Sequence, residues 1–205
     1  MKNILFYSVL AVMASGIAAF TTATSGYEPG ATASDFKLKN VDGNMVSLAD
    51  YKSAKGFIIT FTCNHCPYAK SYEKRLIAID RKYKAKGYPV IAIMPNDTMM
   101  CPDDSPTEMV KYAREKGFTF PYLFDATQEV AKAYGATKTP HVYVLHKEGD
   151  KLVVKYVGAI DDNYEDASKV TKKYLENAMN ELMDGREITV KTSKAIGCTI
   201  KWTSK

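Results

Sequence analysis

Only four cysteines, three histidines and one tryptophan occur in 205 residues. A disulfide-scaffolded miniprotein is excluded, because such chains are shorter and far richer in cysteine. No cysteine precedes Cys63, which rules out lipid attachment at a cleavage-site cysteine. Beyond Cys63 and Cys66 there is no second pair of closely spaced cysteines. Cys101 and Cys198 stand alone, and His65, His141 and His146 form no spaced set with them. A zinc-type site is therefore not expected, and no cofactor is implied. Basic residues form no stripe: Lys111-Tyr112-Ala113-Arg114-Glu115-Lys116 mixes both signs, and the net charge is only +5. That is a solvated surface rather than a nucleic-acid or lipid footprint. Internal repeats and low-complexity tracts are absent.

The one long apolar run is at the start. Lys2 is followed by an uncharged stretch from Ile4 to Phe20 and by small residues through Ser25. This order is that of a secretory signal, and the run is short for a spanning helix of about 20 apolar residues. Residues 1–24 are expected to be a cleaved signal peptide. Residues 25–205 then form one domain with a C-terminal tail over 186–205, exported to the periplasm if the source is Gram-negative. No stable membrane insertion is expected after cleavage.

Within that domain, Phe36-Lys37-Leu38 and Met45-Val46-Ser47-Leu48 flank Asp42-Gly43, the pattern of a hairpin. Phe57 to Thr62 is continuously apolar or β-branched, as in a strand buried on both faces. Tyr72, Leu76, Ile79 and Tyr83 recur at helical spacing in a helix ending near Gly87, and Pro89 to Met94 is a second buried strand. A helix over Thr107 to Lys116, a short one around Gln128 to Tyr134, and a hairpin from Val142-Leu145 to Leu152-Val157 follow. A final helix carries Val170, Tyr174, Ala178 and Leu182. The order implies an α/β fold, a mixed central sheet with helices on both faces and an added N-terminal hairpin.

The chemistry-bearing feature is Cys63-Asn64-His65-Cys66 at the junction of a buried strand and a helix. There the first sulfur lies near unsatisfied backbone amides and the positive end of the helix, and both favour a thiolate. A protonated His65 near Cys63 would favour it further, so Cys63 is expected to have a depressed pKa, with Cys66 as the second, resolving thiol. The plainer readings are a structural Cys63 to Cys66 bridge and a solvent-facing His65. His141 reads as a structural histidine, His146 as a surface residue and Glu73 as a surface ion-pair partner.

Phe61-Thr62-Cys63-Asn64-His65-Cys66-Pro67, followed far downstream by Thr139-Pro140, resembles the thioredoxin superfamily. Asn96-Asp97, Pro102-Asp103-Asp104-Ser105-Pro106, Phe120 to Asp125, Ala133 to Ala136 and Ile196-Gly197-Cys198-Thr199-Ile200-Lys201-Trp202 resemble its peroxiredoxin-like redoxin branch, related to AhpC/TSA proteins. The N-terminal hairpin is similar to that of TlpA-like exported thioredoxins. The resemblance implies a thioredoxin-like three-layer sandwich in which Pro140 is cis beside the cysteine pair and Thr139 offers backbone groups to an extended substrate. It further implies an exported thiol-disulfide oxidoreductase acting on protein thiols or disulfides with a redox partner protein. The alternatives are a thiol peroxidase and a non-catalytic binding module.

Two departures from the family pattern stand out. A peroxidase needs Pro-x-x-x-Thr-x-x-Cys; counting back from Cys66, Ile59 and Cys63 occupy the proline and threonine positions. The strand before the pair also lacks the buried acid usual in thioredoxin. Cys101 and Cys198 are expected to bridge each other and pin the tail; the alternative makes Cys198 a third exchange partner for Cys63 or Cys66.

Overall fold

The computed structural model describes residues 26–204; the expected signal peptide lies outside them. The centre is β4 (Gly56–Phe61), every residue of which is buried. It pairs in parallel with β5 (Val90–Met94) through Ile58↔Val90 to Phe61↔Ile93, as a continuous apolar run flanked by a crossover helix requires. That helix, α1 (Pro67–Lys84), starts with proline at its first turn, where the missing N–H costs nothing. It buries Ala69, Tyr72, Leu76, Ile79 and Tyr83 on one face. Each such side chain contributes about 1.5–3 kcal/mol.

The remaining elements extend this unit. Thr32–Ala33 (β1), Lys37–Asn40 (β2) and Met45–Ser47 (β3) come first, with β2 and β3 forming the expected hairpin. Asp35 ties its ends, accepting from the Leu48 amide at 2.8 Å and the Ser47 hydroxyl at 2.5 Å. Helix α2 (Pro106–Lys116) stops at Gly117, whose φ of 64° is the left-handed cap that glycine adopts without steric cost. Tyr122–Phe124 (β6), Glu129–Tyr134 (α3), Lys138–Thr139 (β7), His141–Glu148 (β8), Lys151–Gly158 (β9), Tyr174–Met183 (α4) and Cys198–Thr199 (β10) complete the order. The main sheet runs β1-β9-β8-β4-β5-β6-β2-β3, and β7 pairs separately with β10. One apolar cluster packs α1, α2 and α4 against one face; another packs α3 and the N-terminal hairpin against the opposite face. This is the mixed-sheet α/β sandwich expected, with the thioredoxin fold.

The last helix is shorter than its apolar spacing predicts, since Val170 lies outside it. Asp162 accounts for this. Its carboxylate accepts from the Thr171 amide at 2.9 Å and also from the Thr171 hydroxyl, while its own amide donates to the Lys172 carbonyl at 3.2 Å. These bonds hold 170–172 against the 161–162 turn and delay helix entry to Tyr174.

Candidate active site

Strand pairing brings the distant parts of the site together. Because β4 runs antiparallel to β8 with Phe61 opposite His141, the segment leaving β4 meets the segment entering β8. The first carries Cys63 to Cys66; the second is Thr139-Pro140, joined by a cis peptide bond. Both sulfurs of the pair rest on Thr139. Cys63 Sγ lies 3.3 Å from the Thr139 hydroxyl oxygen, and Cys66 Sγ lies 3.2 Å from the Thr139 carbonyl oxygen. Cys66 is the N-cap residue of α1, so its sulfur stands at the start of that helix.

A buried acid is present, but it comes from the 102–104 turn rather than from the central strand. Asp104 is fully buried. It accepts from the Asn64 amide at 2.8 Å, the His65 amide at 3.3 Å and the Asn96 side-chain amide at 2.7 Å, and pairs with His65 Nδ1 at 2.7 Å. Asn64 is fixed in turn, donating to the Asp103 carbonyl at 2.7 Å and accepting from the Tyr122 hydroxyl at 2.9 Å. The short loop between strand and helix is therefore held by its own Asn and His against one carboxylate.

This arrangement reverses the expected acidity of Cys63. Its thiol is pushed up to about 11, first by burial and then by the Asp104 carboxylate; the Thr139 hydroxyl, the Cys66 amide and Asn96 oppose the rise without overcoming it. Only 3% of Cys63 is exposed, so desolvation of a thiolate outweighs the helix end. His65 is committed to Asp104 on one nitrogen, and its Nε2 faces Cys101 Sγ at 3.8 Å.

Cys101 is consequently not the partner of Cys198. The structure joins Cys198 to Cys66, with Cα atoms 6.0 Å apart, and leaves Cys63 and Cys101 free. The expected bridge between Cys101 and Cys198 is thus replaced by the alternative in which the tail reaches the cysteine pair. Register explains the choice. Strand β10 pairs antiparallel with β7, setting Cys198 opposite Thr139, whose carbonyl touches Cys66. Cys101 lies instead on the His65 side, its thiol raised by burial and by Asp104.

His141 is buried and neutral, its pKa lowered to about 4 by burial, and its Nδ1 accepts weakly from the Thr137 amide at 3.4 Å. Glu73 pairs with Lys116 at 3.5 Å and accepts from the Tyr112 hydroxyl. Among the described residues, Cys63, His65 and Asp104 form a set of metal-type donors whose ligand atoms lie within 4.8 Å of one another. Hydrogen bonds within the loop already occupy both carboxylate oxygens. Asp104, Tyr122 and the Thr139 hydroxyl are contacts that pattern reading did not assign. The motifs containing Asn96 and Asp104 were the available signal.

Among the described residues, no helix is long and apolar enough to cross a membrane. The AhpC/TSA family model matches residues 29–157. A thiol-disulfide oxidoreductase ResA from Geobacillus thermodenitrificans is 28% identical over 153 residues, spanning 73% of this chain and 82% of that protein. A crystal structure of an uncharacterized conserved protein from Geobacillus kaustophilus superposes with a TM-score of 0.80 at 40% identity, over 88% of this chain and 95% of the other. Peroxidoxin BcpB from Mycobacterium tuberculosis shares the fold at a TM-score of 0.58 and 16% identity, over 78% and 98% of the two chains.

Proposed function

This chain belongs to the AhpC/TSA family, and from that premise we propose that it is a thiol-disulfide oxidoreductase that exchanges disulfides with protein thiols through Cys63 and Cys66, with Cys198 as a third, intramolecular partner. The observation that carries the reading is the meeting of Cys63, Cys66 and Cys198 at Thr139. In the exchange step Cys63 loses its proton and its sulfur attacks Cys66 Sγ. The Cys63 to Cys66 bond forms as the Cys66 to Cys198 bond breaks, and Cys198 leaves as a thiolate that takes up a proton. No net electrons move. The Thr139 hydroxyl, 3.3 Å from the Cys63 sulfur, can donate to the thiolate as it forms, while His65 holds the loop through Asp104 with its Nε2 turned to Cys101. The Cys63/Cys66 disulfide then accepts two electrons from a client dithiol, leaving a client disulfide and two enzyme thiols; the reverse sequence reduces a client disulfide. A redox partner protein sets the direction.

Export is part of the proposal and is supported by the charged, then apolar, then small-residue leader. N-terminal sequencing of the protein from its native host, with a start near residue 25, checks it. The exchange reading is tested with Cys63→Ser and Cys66→Ser. Cys66→Ser abolishes exchange with a protein dithiol. Cys63→Ser keeps the Cys66 to Cys198 bridge but cannot pass it on. Full activity in Cys63→Ser contradicts the order of steps.

One observation favours a second reading. A bridge between Cys66, the position that aligns with the peroxidase cysteine, and a distant Cys198 is what a peroxide-reactive thiol and its resolving partner would leave. Rapid hydrogen peroxide consumption that needs Cys66 and Cys198 but not Cys63 supports it.

A further inference from the structure

Residues 197–203 lie in a channel built to hold an extended chain. On one side β10 is paired to β7 through Cys198↔Thr139 and Thr199↔Lys138. Gly197 approaches so closely that a Cβ would stand 2.2 Å from the Thr139 carbonyl oxygen, so a residue with a side chain does not fit there. Past the cysteine, the Ile200 amide donates to the Thr137 carbonyl at 3.2 Å, and the Ile200 side chain is 2% exposed within the apolar cluster that includes Phe61, Ala131 and Ala136.

The far end is clamped by side chains. The Lys201 amide donates to Asn96 Oδ1 at 2.9 Å; its carbonyl accepts from the Asp97 amide at 2.9 Å and from Gln128 Nε2 at 2.8 Å. Gln128 Oε1 accepts from the Thr203 amide at 2.9 Å. Gln128 is buried and held at φ 60°, a left-handed conformation unusual outside glycine, and both ends of its amide serve the tail's backbone. Most of these contacts are to main chain, which any sequence supplies. The side-chain contacts are the absent Cβ at 197, the sulfur at 198, an exposed Thr199 hydroxyl accepting from Lys138 Nζ at 3.0 Å, the apolar side chain at 200 and the Trp202 ring beneath Lys132; of these the approach at 197 and the burial at 200 are the most restrictive. The tail reaches this channel by residues 194–196, of which Lys194 and Ile196 are exposed, after an anchor at which the Ser193 amide donates to the Val157 carbonyl at 3.0 Å.

We propose that this channel is the client-binding groove and that the tail is its resident occupant, so that clients are extended protein segments with glycine before the reactive cysteine and an aliphatic residue two positions after it. The proposal rests on the exchange reading above and names the substrate class for it. Main-chain pairing to Thr139 supplies affinity common to all clients, and the Ile200 pocket and the Gly197 approach supply selection. When a client bears a disulfide, an enzyme thiolate attacks one of its sulfurs. This forms an enzyme-client mixed disulfide and releases the other client thiol. The second enzyme cysteine then displaces the client as a thiol and closes the Cys63 to Cys66 bond.

The test uses the full chain, reduced and freed of reductant, with three peptides as glutathione mixed disulfides. One has the sequence of residues 195–202, one carries aspartate in place of the isoleucine matching Ile200, and one carries valine in place of the glycine matching Gly197. Glutathione disulfide alone is the reference. The tail competes equally with every peptide, so the ratios of rates are unaffected by it. The native-sequence peptide is expected to be reduced about tenfold faster, or more, than either altered peptide. Rates within twofold for all three peptides overturn the groove assignment while leaving the exchange reading intact. No reduction of any peptide or of glutathione disulfide overturns both.

Discussion

Replacing Asp104 with asparagine keeps the shape of the loop's anchor but removes the one buried negative charge beside Cys63. The carboxylate and the Cys63 sulfur lie within 4.8 Å. At an effective dielectric constant of about 20, the bare repulsion between carboxylate and thiolate is about 3.5 kcal/mol at that outer separation, which solvent and the opposing Thr139, Cys66 and Asn96 donors reduce. Burial is the larger cause of the rise to about 11 from the ordinary 9.0. Asp104→Asn should therefore bring the Cys63 midpoint down by about one pH unit, or 1.4 kcal/mol, without restoring an ordinary thiol. With the Cys66 to Cys198 bridge intact, the assay is the rate of Cys63 alkylation by iodoacetamide against pH, read by peptide mass. The wild-type rate should still be climbing above pH 10, whereas the variant's climb should begin about one unit lower. A wild-type midpoint near 8.5, or no downward movement in Asp104→Asn, refutes the assignment of Cys63 as a buried thiol opposed by Asp104.

The same burial has consequences for stability. Since the folded Cys63 pKa lies above its unfolded value, the contribution is complete below about pH 9 and is lost as pH rises through about 11, so alkaline unfolding of the bridged form should ease in that window and do so less in Cys63→Ala. His141 has the opposite sign: held at about 4 against an ordinary 6.5, it contributes fully above pH 6.5 and loses up to about 3 kcal/mol as pH falls toward 4, a slope that His141→Gln should flatten in urea titrations. Arg75→Ala should lower stability by about 3 kcal/mol in thermal melts, because Arg75 binds Asp161 at 2.6 Å and the carbonyls of Asn163 and Tyr164 at 2.6 and 2.7 Å, and its loss leaves a buried carboxylate held only by neutral donors such as Tyr72. Gly197→Ala should reduce the fraction of chains bridged between Cys66 and Cys198 at a fixed glutathione ratio, measured by thiol labelling, since the added Cβ collides with Thr139.

What could be read in the residues beforehand follows from how local each signal is. Strand β4 and helix α1 announce themselves because a six-residue apolar run and a four-residue apolar spacing are contained within their own segments. Thr139-Pro140 was legible by resemblance, and the cis bond is found there. Helix position and a neighbouring histidine are local cues to the acidity of Cys63, whereas the desolvation that raises it depends on what closes over the sulfur. Asp104 was hidden for the same reason: its partners Asn64 and His65 lie about 40 residues away in sequence. The pairing of Cys198 depended on a two-residue strand, too short for any periodicity to mark, laid on a second two-residue strand.

In the proposed cycle the Cys66 to Cys198 bridge is an exchanging disulfide rather than a fixed staple. Disulfide mapping by mass spectrometry across a glutathione titration, with acid quenching at each ratio, tests it most directly. The Cys66 to Cys198 pair should coexist with a Cys63 to Cys66 pair in a ratio set by equilibrium, and both should disappear together as the buffer becomes reducing. A Cys66 to Cys198 bridge that persists where glutathione fully reduces ordinary exchanging pairs, with no Cys63 to Cys66 pair at any ratio, would contradict it.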